Sequence, residues 1–411
     1  MTEFKYSIDS DGVAIISWDV PNKTMNVMSL EGLKELDKHF DAALSDDRVK
    51  GIIVTSGKRD FAGGMDLNVL ADMKTAQGEN PAQGLFNGIM QIHKLLRKIE
   101  LAGMDPKTKK GAKPVAAAIN GTAAGIGLEL PLACHRIFAI DNEKSKIGLP
   151  EILVGIFPGA GGTTRLVRKL GAMNAAPFLL EGKMLSPSKM KLAGVIDELT
   201  EESDLLSRAK AWVLDATDAD CIKPWDDKSY KMPGGGPYHP NGYMTFAGAS
   251  VMVNSKTQGA FPAAKTLLSA VYEGAQVPFE TALKIEARWF TKILMNPSSE
   301  SMIRSLFINK EALEKGAVRP KDIPNQKVEK IGILGAGMMG AGISYVSALA
   351  GIKVVLLDMK EEDAQKGKVH AENLLNVGLK RKKIDEKKKS AVLDLISPTT
   401  KFEDLKDCDL I

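Results

Sequence analysis

Residues 114–162 read PVAAAINGTAAGIGLELPLACHRIFAIDNEKSKIGLPEILVGIFPGAGG. Within them, Glu129 in GIGLEL and Glu151 in GLPEI have apolar neighbours, and each adjoins a glycine-rich turn. A carboxylate in apolar surroundings costs free energy unless it is paired, protonated or used in chemistry. The two glutamates lie 22 residues apart in the chain. They are therefore the first candidates for a pair of acid–base catalysts.

The residues around the two glutamates predict a repeated pattern of strand, turn and helix. PVAAAI (114–119) is typical of a buried strand, residues 125–127 of a bend, and LELPLACHRIFAI (128–140) of a helix that leads into a strand. Upstream, helical spacing over residues 30–44 lies between two apolar runs that are typical of strands. This repetition predicts an α/β protein with a largely parallel sheet and with ligand chemistry at the turns.

The composition favours a cytoplasmic enzyme of two or three domains. A chain of 411 residues is long enough for that number of domains, each with a sizeable core. The 55 basic and 51 acidic residues leave a net charge of +4, so nucleic acid is not expected as a partner. The three cysteines are too scattered for a disulfide framework, and the histidines lack metal-ligand spacing. We therefore expect no metal site, and the N-terminal residues do not resemble a secretion signal.

Three ordered motifs carry a resemblance to a known family: FAGGMDL (61–67), INGTAAGIGLELPLACHRI (119–137) and GLPEILVGIFPGAGGTTRL (148–166). Together they resemble the crotonase (enoyl-CoA hydratase/isomerase) superfamily over residues 1–200. Three motifs in order are far more specific than any one of them. The resemblance implies a crotonase domain of the ββα-spiral type, followed over residues 201–325 by its C-terminal helices, a long loop and a linker helix.

The resemblance also implies a role for each candidate site residue. The backbone N–H groups of Met65 and Ile126 would hold the oxygen of an acyl-CoA thioester, since two preorganised donors stabilise the negative charge that develops there. Glu129 would activate the water that attacks the β-carbon, and Glu151 would donate a proton to the α-carbon. The family usually has glycine or alanine where this chain has Met65 and Ile126. An isoleucine at position 126 is expected to restrict the backbone torsions of the bend and to change the shape of the acyl pocket.

A second ligand motif follows the polar, proline-containing segment 315–326. A strand-like run leads into GAGMMG, whose glycines are Gly335, Gly337 and Gly340. Asp358 ends the next strand-like run, 23 residues after the first glycine. In this arrangement the glycines admit a pyrophosphate at a helix N-terminus, and the acid binds the ribose hydroxyls. We therefore predict the first half of a Rossmann-type domain over residues 326–411, which would bind NAD rather than NADP.

The same region contains an uncharged run that is long enough to span a bilayer, residues 331–352. The run holds six glycines and begins with a strand-like pattern. A strand, a turn and a helix explain it better than a membrane span, so no integral membrane segment is expected.

The GAGMMG region resembles the N-terminal half of the 3-hydroxyacyl-CoA dehydrogenase Rossmann domain. With the crotonase part, it resembles the α-subunit family of bacterial multifunctional fatty-acid oxidation complexes. Residues 407–411 are typical of the opening of a further strand, and no residue matches the family's catalytic histidine and its glutamate partner. The resemblance thus implies a truncated chain that holds only part of the NAD site and lacks dehydrogenase activity. For the full-length protein it implies a thiolase β-subunit as partner, and it leaves homo-oligomer formation open.

The leading hypothesis is hydration of trans-2-enoyl-CoA to 3-hydroxyacyl-CoA in fatty-acid β-oxidation. A second activity would move the double bond from position 3 to position 2 with the same glutamates. One alternative is another crotonase-type acyl-CoA reaction, such as decarboxylation or thioester hydrolysis, although the presence of both glutamates argues against it. The other alternative is a non-catalytic fragment that binds CoA esters or NAD for assembly.

Overall fold

The computed structural model describes residues 2–66, 69, 80–324, 326–381 and 383–411. Leu67, the last residue of the motif FAGGMDL, lies outside the described residues. Contacts divide the chain into two compact units, Met1–Ala317 and Val318–Ile411. The further division of the first unit near residue 200 stays a prediction.

The first unit is built on two β-sheets. Its described strands are β1 (Phe4–Ile8), β2 (Val13–Trp18), β3 (Gly51–Ser56), β4 (Val115–Ile119), β5 (Ala123–Ala124), β6 (Arg136–Ile140), β7 (Ile147–Gly148), β8 (Met184–Leu185) and β9 (Glu198–Thr200). The larger sheet has the order β1-β2-β3-β4-β6-β9, and the smaller has the order β5-β7-β8. In the larger sheet only β1 and β2 pair antiparallel, which confirms the prediction of a largely parallel sheet.

The central strands are buried on both faces. Every residue of β3 and of β4 is buried, and the two strands pair in parallel with Ile52 opposite Val115. Continuous apolar runs of this kind are expected for parallel strands that are covered on both sides. The strands therefore hold the turns at their ends in fixed positions.

Helices cover the sheets of the first unit. The described helices are α1 (Leu30–Ser45), α2 (Pro81–Leu101), α3 (Ile126–Ala133), α4 (Gly162–Leu170), α5 (Ala172–Leu179), α6 (Pro187–Leu192), α7 (Leu205–Asp215), α8 (Pro240–Thr257), α9 (Pro262–Gly274), α10 (Phe279–Leu294), α11 (Pro297–Ile303) and α12 (Lys310–Glu314). Ser29 caps α1, because its side chain accepts a hydrogen bond from the Gly32 N–H. A 3-10 turn at Pro150–Val154 and a π-helical turn at Arg304–Asn309 complete the elements used below.

The second unit is a small parallel α/β fold. It contains β10 (Lys330–Leu334), α13 (Met338–Leu349), β11 (Lys353–Leu357), α14 (Glu361–Lys380), α15 (Glu386–Leu393) and β12 (Ile396–Thr399). The strands pair in the order β10-β11-β12, and all are parallel. Leu410 forms a parallel bridge with Ile331, on the side of β10 away from β11. This is the order of a Rossmann-type half, as predicted. Across the described ranges, no helix has both the length and the apolar character that a bilayer span requires.

Candidate active site

A cavity of about 150 Å³ in the first unit brings together the four residues that the sequence singles out there. Met65, Ile126, Glu129 and Glu151 all line it. The rest of its wall is apolar or glycine: Gly63, Gly64, Ile89, Ile92, Gly125, Pro150, Val154, Ile156, Phe157, Gly159, Ala160, Phe290 and Phe307. An apolar wall with a few converging polar groups is the usual form of a small-molecule site.

Two glycine turns lie side by side in the wall of this cavity. The loop after β3 and the segment 122–124 run in parallel, because the Ala62 N–H donates to the Thr122 carbonyl (3.0 Å) and the Ala124 N–H donates to the Ala62 carbonyl (2.9 Å). Each of these segments then passes through a glycine with positive φ, Gly64 at +112° and Gly125 at +57°. The pairing therefore places the amides that follow the two glycines at the same edge of the cavity.

Those two amides belong to Met65 and Ile126, the residues expected to form an oxyanion hole. Among the residues that the structure describes, neither N–H donates to a backbone or side-chain acceptor. Buried backbone N–H groups are almost always paired, so two unpaired ones on one cavity wall indicate a site for an acceptor on a ligand.

The side chain of Ile126 is compatible with this geometry. The left-handed torsion falls on Gly125, and Ile126 is the first residue of α3 and 3 % exposed. Only the glycine has to adopt a conformation that L side chains disfavour. The departure from the family's usual glycine or alanine therefore changes the cavity wall without straining the bend.

Glu129 lies in the first turn of α3 with its carboxyl held by backbone amides. Its Oε1 accepts hydrogen bonds from the N–H groups of Ala160 (2.8 Å) and Gly162 (2.9 Å). Burial raises the pKa of Glu129 to about 7, and the two amide bonds and the charge of Arg165 limit the rise. A Cβ on Gly162 would lie 2.6 Å from the Glu129 Cγ, so only glycine lets the loop approach this closely.

Glu151 lies in the 3-10 turn that follows β7. The Gly125 N–H donates to the carbonyl of Gly148 (3.0 Å), which ties β7 to the glycine turn at Gly125. Within the described residues, the buried Oε2 of Glu151 has no hydrogen-bond partner. Burial and the nearby charge of Glu129 raise the pKa of Glu151 well above its ordinary value. Its surroundings therefore favour the protonated form of Glu151, and its unpaired oxygen is available to a ligand.

A third acid, Glu286, is part of this region and was not expected from the sequence. It lies on α10, is 1 % exposed, and accepts hydrogen bonds from the loop that also holds Glu129. Its helical spacing with Leu283 and Phe290 is typical of the core face of an amphipathic helix. That pattern predicts a residue that packs in the core, with no role in a site. The signal that could have found it is a charged residue at a core position of an amphipathic helix.

Aromatic residues of the C-terminal helices also reach the cavity. Phe290 lines the cavity and packs against the Phe157 ring, with 5.6 Å between centroids. Phe307 lines it from the π-helical turn. The segment beyond residue 200 therefore contributes to the site.

In the second unit, the GAGMMG loop joins β10 to α13 as the dinucleotide fingerprint requires. Gly335 has a φ of +96°, and a Cβ on Gly340 would lie 1.8 Å from the Gly335 carbonyl oxygen. A Cβ on Gly337 would meet no protein atom within 4 Å, so the backbone there is open to a ligand. Asp358 directly follows the strand β11, and its carboxylate accepts from the Ala336 N–H (2.7 Å), which lowers its pKa. These residues fit a pyrophosphate and a ribose.

Comparison with known families gives two matches along the chain. Residues 9–219 match the family described as enoyl-CoA hydratase/isomerase. Residues 330–411 match the NAD binding domain of 3-hydroxyacyl-CoA dehydrogenase. The first match covers about half of the chain and contains all four cavity residues named above.

Curated relatives are similar over nearly the whole chain. The fatty acid oxidation complex subunit alpha of Shewanella loihica is 31% identical over 403 residues, which are 98% of this chain and 54% of the relative. The subunit of the same name from Shewanella halifaxensis is 32% identical over 410 residues, 99% of this chain and 55% of the relative. The chain thus spans about half the length of the curated relatives it matches.

Solved structures share the fold of the first unit. An enoyl-CoA hydratase from Bacillus halodurans has a TM-score of 0.51 at 19% identity, and covers 74% of this chain and 100% of its own. The human mitochondrial delta3-delta2-enoyl-CoA isomerase has a TM-score of 0.51 at 19% identity, with coverages of 77% and 100%. At this identity the likeness concerns the fold, and it agrees with the predicted crotonase architecture.

Proposed function

Because the chain belongs to the enoyl-CoA hydratase/isomerase family, we propose that its cavity hydrates trans-2-enoyl-CoA to 3-hydroxyacyl-CoA. One observation carries the proposal. Two carboxyl groups with raised pKa values, those of Glu129 and Glu151, line a single cavity with two unpaired backbone amides. Acid–base chemistry next to a developing oxyanion needs this combination of groups.

In the proposed reaction, the thioester oxygen accepts hydrogen bonds from the N–H groups of Met65 and Ile126. The Glu129 carboxylate takes a proton from water while the water oxygen bonds to the β-carbon. The electron pair of the double bond moves to the thioester oxygen, where the two amides stabilise its negative charge. When the carbonyl re-forms, the α-carbon takes the proton of Glu151. The product gains one water, and a proton transfer from Glu129 to Glu151 restores the starting state.

The environments of the two carboxyls support this division of roles. Glu129 accepts two amide hydrogen bonds, which favour its charged, proton-accepting form. Glu151 has an unpaired oxygen and a neighbouring negative charge, which favour its protonated form. Two carboxyls whose proton affinities differ can serve as base and acid at one pH.

The same groups support a second activity, the shift of a double bond from position 3 to position 2. That reaction moves a proton from the α-carbon to the γ-carbon through a dienolate. It needs the same oxyanion stabilisation and one carboxyl that accepts and returns the proton. We propose it as a slower companion reaction, to be read from the products formed with a 3-enoyl-CoA.

The experiment is a hydration assay with a short trans-2-enoyl-CoA. We expect Glu129→Gln and Glu151→Gln each to lower kcat by roughly 10²- to 10⁴-fold, the usual contribution of a general acid or base. Glu143→Gln is the matched control, because this exposed glutamate lies between the two in sequence and bonds only to Ser188 and its neighbours at the surface. Full activity in both active-site variants would overturn the assignment. CoA-ester binding without turnover in the wild type would favour an assembly module, and free CoA as product would favour thioester hydrolysis.

For the second unit we propose NAD binding, with the backbone of Gly335, Gly337 and Gly340 at the pyrophosphate and Asp358 at the ribose hydroxyls. When bound, the nicotinamide of NAD would supply a hydride acceptor. Because this chain spans about half of its curated relatives, oxidation of 3-hydroxyacyl-CoA and assembly with a thiolase subunit are proposed for the whole protein.

A further inference from the structure

Amides of residues 160–164, a loop that continues into the first turn of α4, donate to two different carboxyl groups. In residues 160–164, the first and third N–H groups donate to Glu129, as described above. The Gly161 N–H instead donates to Oε1 of Glu286 (2.6 Å), and the Thr164 N–H donates to its Oε2 (2.7 Å). Because Glu129 lies on α3 and Glu286 on α10, the two helices hold the same loop through different amides.

The hydrogen bonds of Glu286 are all made to this loop, as far as the described residues extend. Besides the two amides, the Thr164 hydroxyl donates to Oε2 (2.6 Å). Burial raises the pKa of Glu286 to about 8. The charge of Glu129 also raises this pKa, whereas the three hydrogen bonds lower it. A fully buried carboxyl is costly, and here the hydrogen bonds that offset the cost all fix the loop.

The cations near Glu286 do not neutralise it. The guanidinium of Arg165 pairs with Glu100 instead, at 3.1 Å from both carboxyl oxygens. His93 lies 3.6 Å from Glu286, but its Nε2 bonds to the Gly159 carbonyl (2.7 Å), and burial lowers its pKa to about 4. His93 is therefore neutral at physiological pH, so an ion pair does not account for the burial of Glu286.

We propose that Glu286 is a positioning residue for Glu129. By fixing the N–H groups of Gly161 and Thr164, it turns the neighbouring amides of Ala160 and Gly162 toward Glu129 and holds that carboxyl in line with the water it activates. The inference rests on the proposed hydratase function. Glu286 acts only through the loop, since Gly159 and Ala160 line the cavity and Glu286 itself does not.

The chemistry of a glutamine at position 286 makes the proposal testable. Its amide oxygen can accept from one loop N–H, but its NH₂ group would face the other N–H donor. That loop amide would lose its acceptor, so the backbone would rotate away and release Glu129 from its fixed position. Substrate binding would persist, because Met65 and Ile126 hold the thioester independently of this loop. A loss in kcat without a change in KM is therefore expected.

The test measures kcat and KM for a short trans-2-enoyl-CoA, and the affinity for the matching saturated acyl-CoA. For Glu286→Gln we expect kcat to fall roughly 10- to 100-fold, with KM and acyl-CoA affinity within about twofold of wild type. Thr164→Val removes a single hydrogen bond to Glu286, and we expect a fall in kcat of roughly fivefold. Glu280→Gln on the same helix removes an exposed acid that pairs with Arg97, and its kcat should equal that of wild type.

The results distinguish the proposed hydratase function from the proposed positioning role of Glu286. An inactive wild type overturns the proposed function itself. An active wild type with kcat of Glu286→Gln within about threefold of normal overturns only the positioning role. So does a parallel loss of acyl-CoA affinity, because that result assigns Glu286 to the general shape of the cavity. If Glu286→Gln does not fold, the Thr164→Val variant tests the positioning role instead. An unchanged kcat in that variant overturns the proposal.

Discussion

Glu129 and Glu151 differ in what their carboxyl oxygens contact, and this difference sets the order in which they lose protons. Glu129 accepts two amide hydrogen bonds, whereas the Oε2 of Glu151 is buried without a partner among the described residues. Burial raises both pKa values, but the charge of Glu129 adds to the rise at Glu151. These contacts favour ionisation of Glu129 before Glu151, which suits the first group to act as a base and the second as an acid.

The pH dependence of hydration follows from this order. The rate should increase with pH as Glu129 loses its proton, with a midpoint at its pKa of about 7, and decrease at higher pH as Glu151 ionises. The measurement is kcat/KM for a short enoyl-CoA across the stable pH range. Glu143→Gln should give the same profile as wild type. An acidic midpoint near 4.5, the ordinary value for a glutamate, would contradict the assignment of Glu129 as a buried base.

For single residues, the sequence predicted which acids belong to the candidate site better than it predicted the contacts of their carboxyl groups. Glu129 and Glu151 were recognisable because acids are unusual in apolar, glycine-rich segments. Glu286 follows the apolar spacing of α10, and that pattern alone predicts a core position. The hydrogen-bond partners of its carboxyl lie more than 120 residues away in the chain. Whether a buried acid is catalytic, positioning or paired depends on such distant contacts, which local patterns do not contain.

Among the elements, the turn at Gly125 has the most direct effect on the site. Its φ of +57° allows the Ile126 amide to face the cavity, and the next residues start α3, which carries Glu129. A Cβ at this position would also lie 2.9 Å from Oε1 of Glu151. The turn thus places the Ile126 amide and the start of the helix that carries Glu129, and it leaves room for the Glu151 carboxyl.

Replacing this glycine should damage activity and stability together. For Gly125→Ala we expect a loss of about 1–3 kcal/mol in unfolding free energy from the strained torsion. We also expect kcat to fall roughly 10²-fold or more, because the Ile126 amide is displaced. Chemical denaturation and the hydration assay measure the two effects.

The matched control for this prediction is Gly111→Ala. Gly111 also has a positive φ of +80° but lies in an exposed loop with no atom within 4 Å of its Cβ position. It should lose stability without losing kcat. Equal kcat values for Gly125→Ala and wild type would rule out the proposed oxyanion donor.

Element boundaries were predictable where caps and periodicity agree. Residues 30–44 have both a capping serine and a regular apolar stripe, and α1 spans Leu30–Ser45. The helices α7, α8 and α9 lie where the sequence pattern fades. In α8 only Gly242 and Val253 are buried, so the sequence contains no apolar stripe that would predict this helix.

For the molecule as a whole, the two units carry separate candidate sites, and each can be tested alone. The resemblance in sequence predicted the fold of both units. It did not predict that Phe290 and Phe307 line the cavity, since which helix covers a cavity depends on tertiary packing. The residues matching the NAD-binding family form the predicted parallel sheet with its glycine-rich loop.

NAD binding by the second unit should depend on Gly337. Gly337→Ala places a methyl group in open space beside the loop, where a pyrophosphate would approach the backbone. We expect the affinity for NADH to fall roughly tenfold or more, the cost of losing one charge-assisted hydrogen bond, with unchanged circular dichroism. Gly342→Ala is the control, because its Cβ would also meet no atom within 4 Å but lies on α13 beyond the loop. NADH titration of both variants makes the comparison, and equal affinities would contradict the proposed site.

The central claim is that the first unit adds water across the double bond of an enoyl-CoA. The most direct test is to run the wild-type reaction in deuterated, ¹⁸O-enriched water and to locate the labels by mass spectrometry and NMR. We predict an intact CoA thioester with ¹⁸O in the hydroxyl at the β-carbon and a single deuterium at the α-carbon. Release of free CoA with ¹⁸O in a carboxylate, or a β-hydroxyl without the label, would contradict the claim.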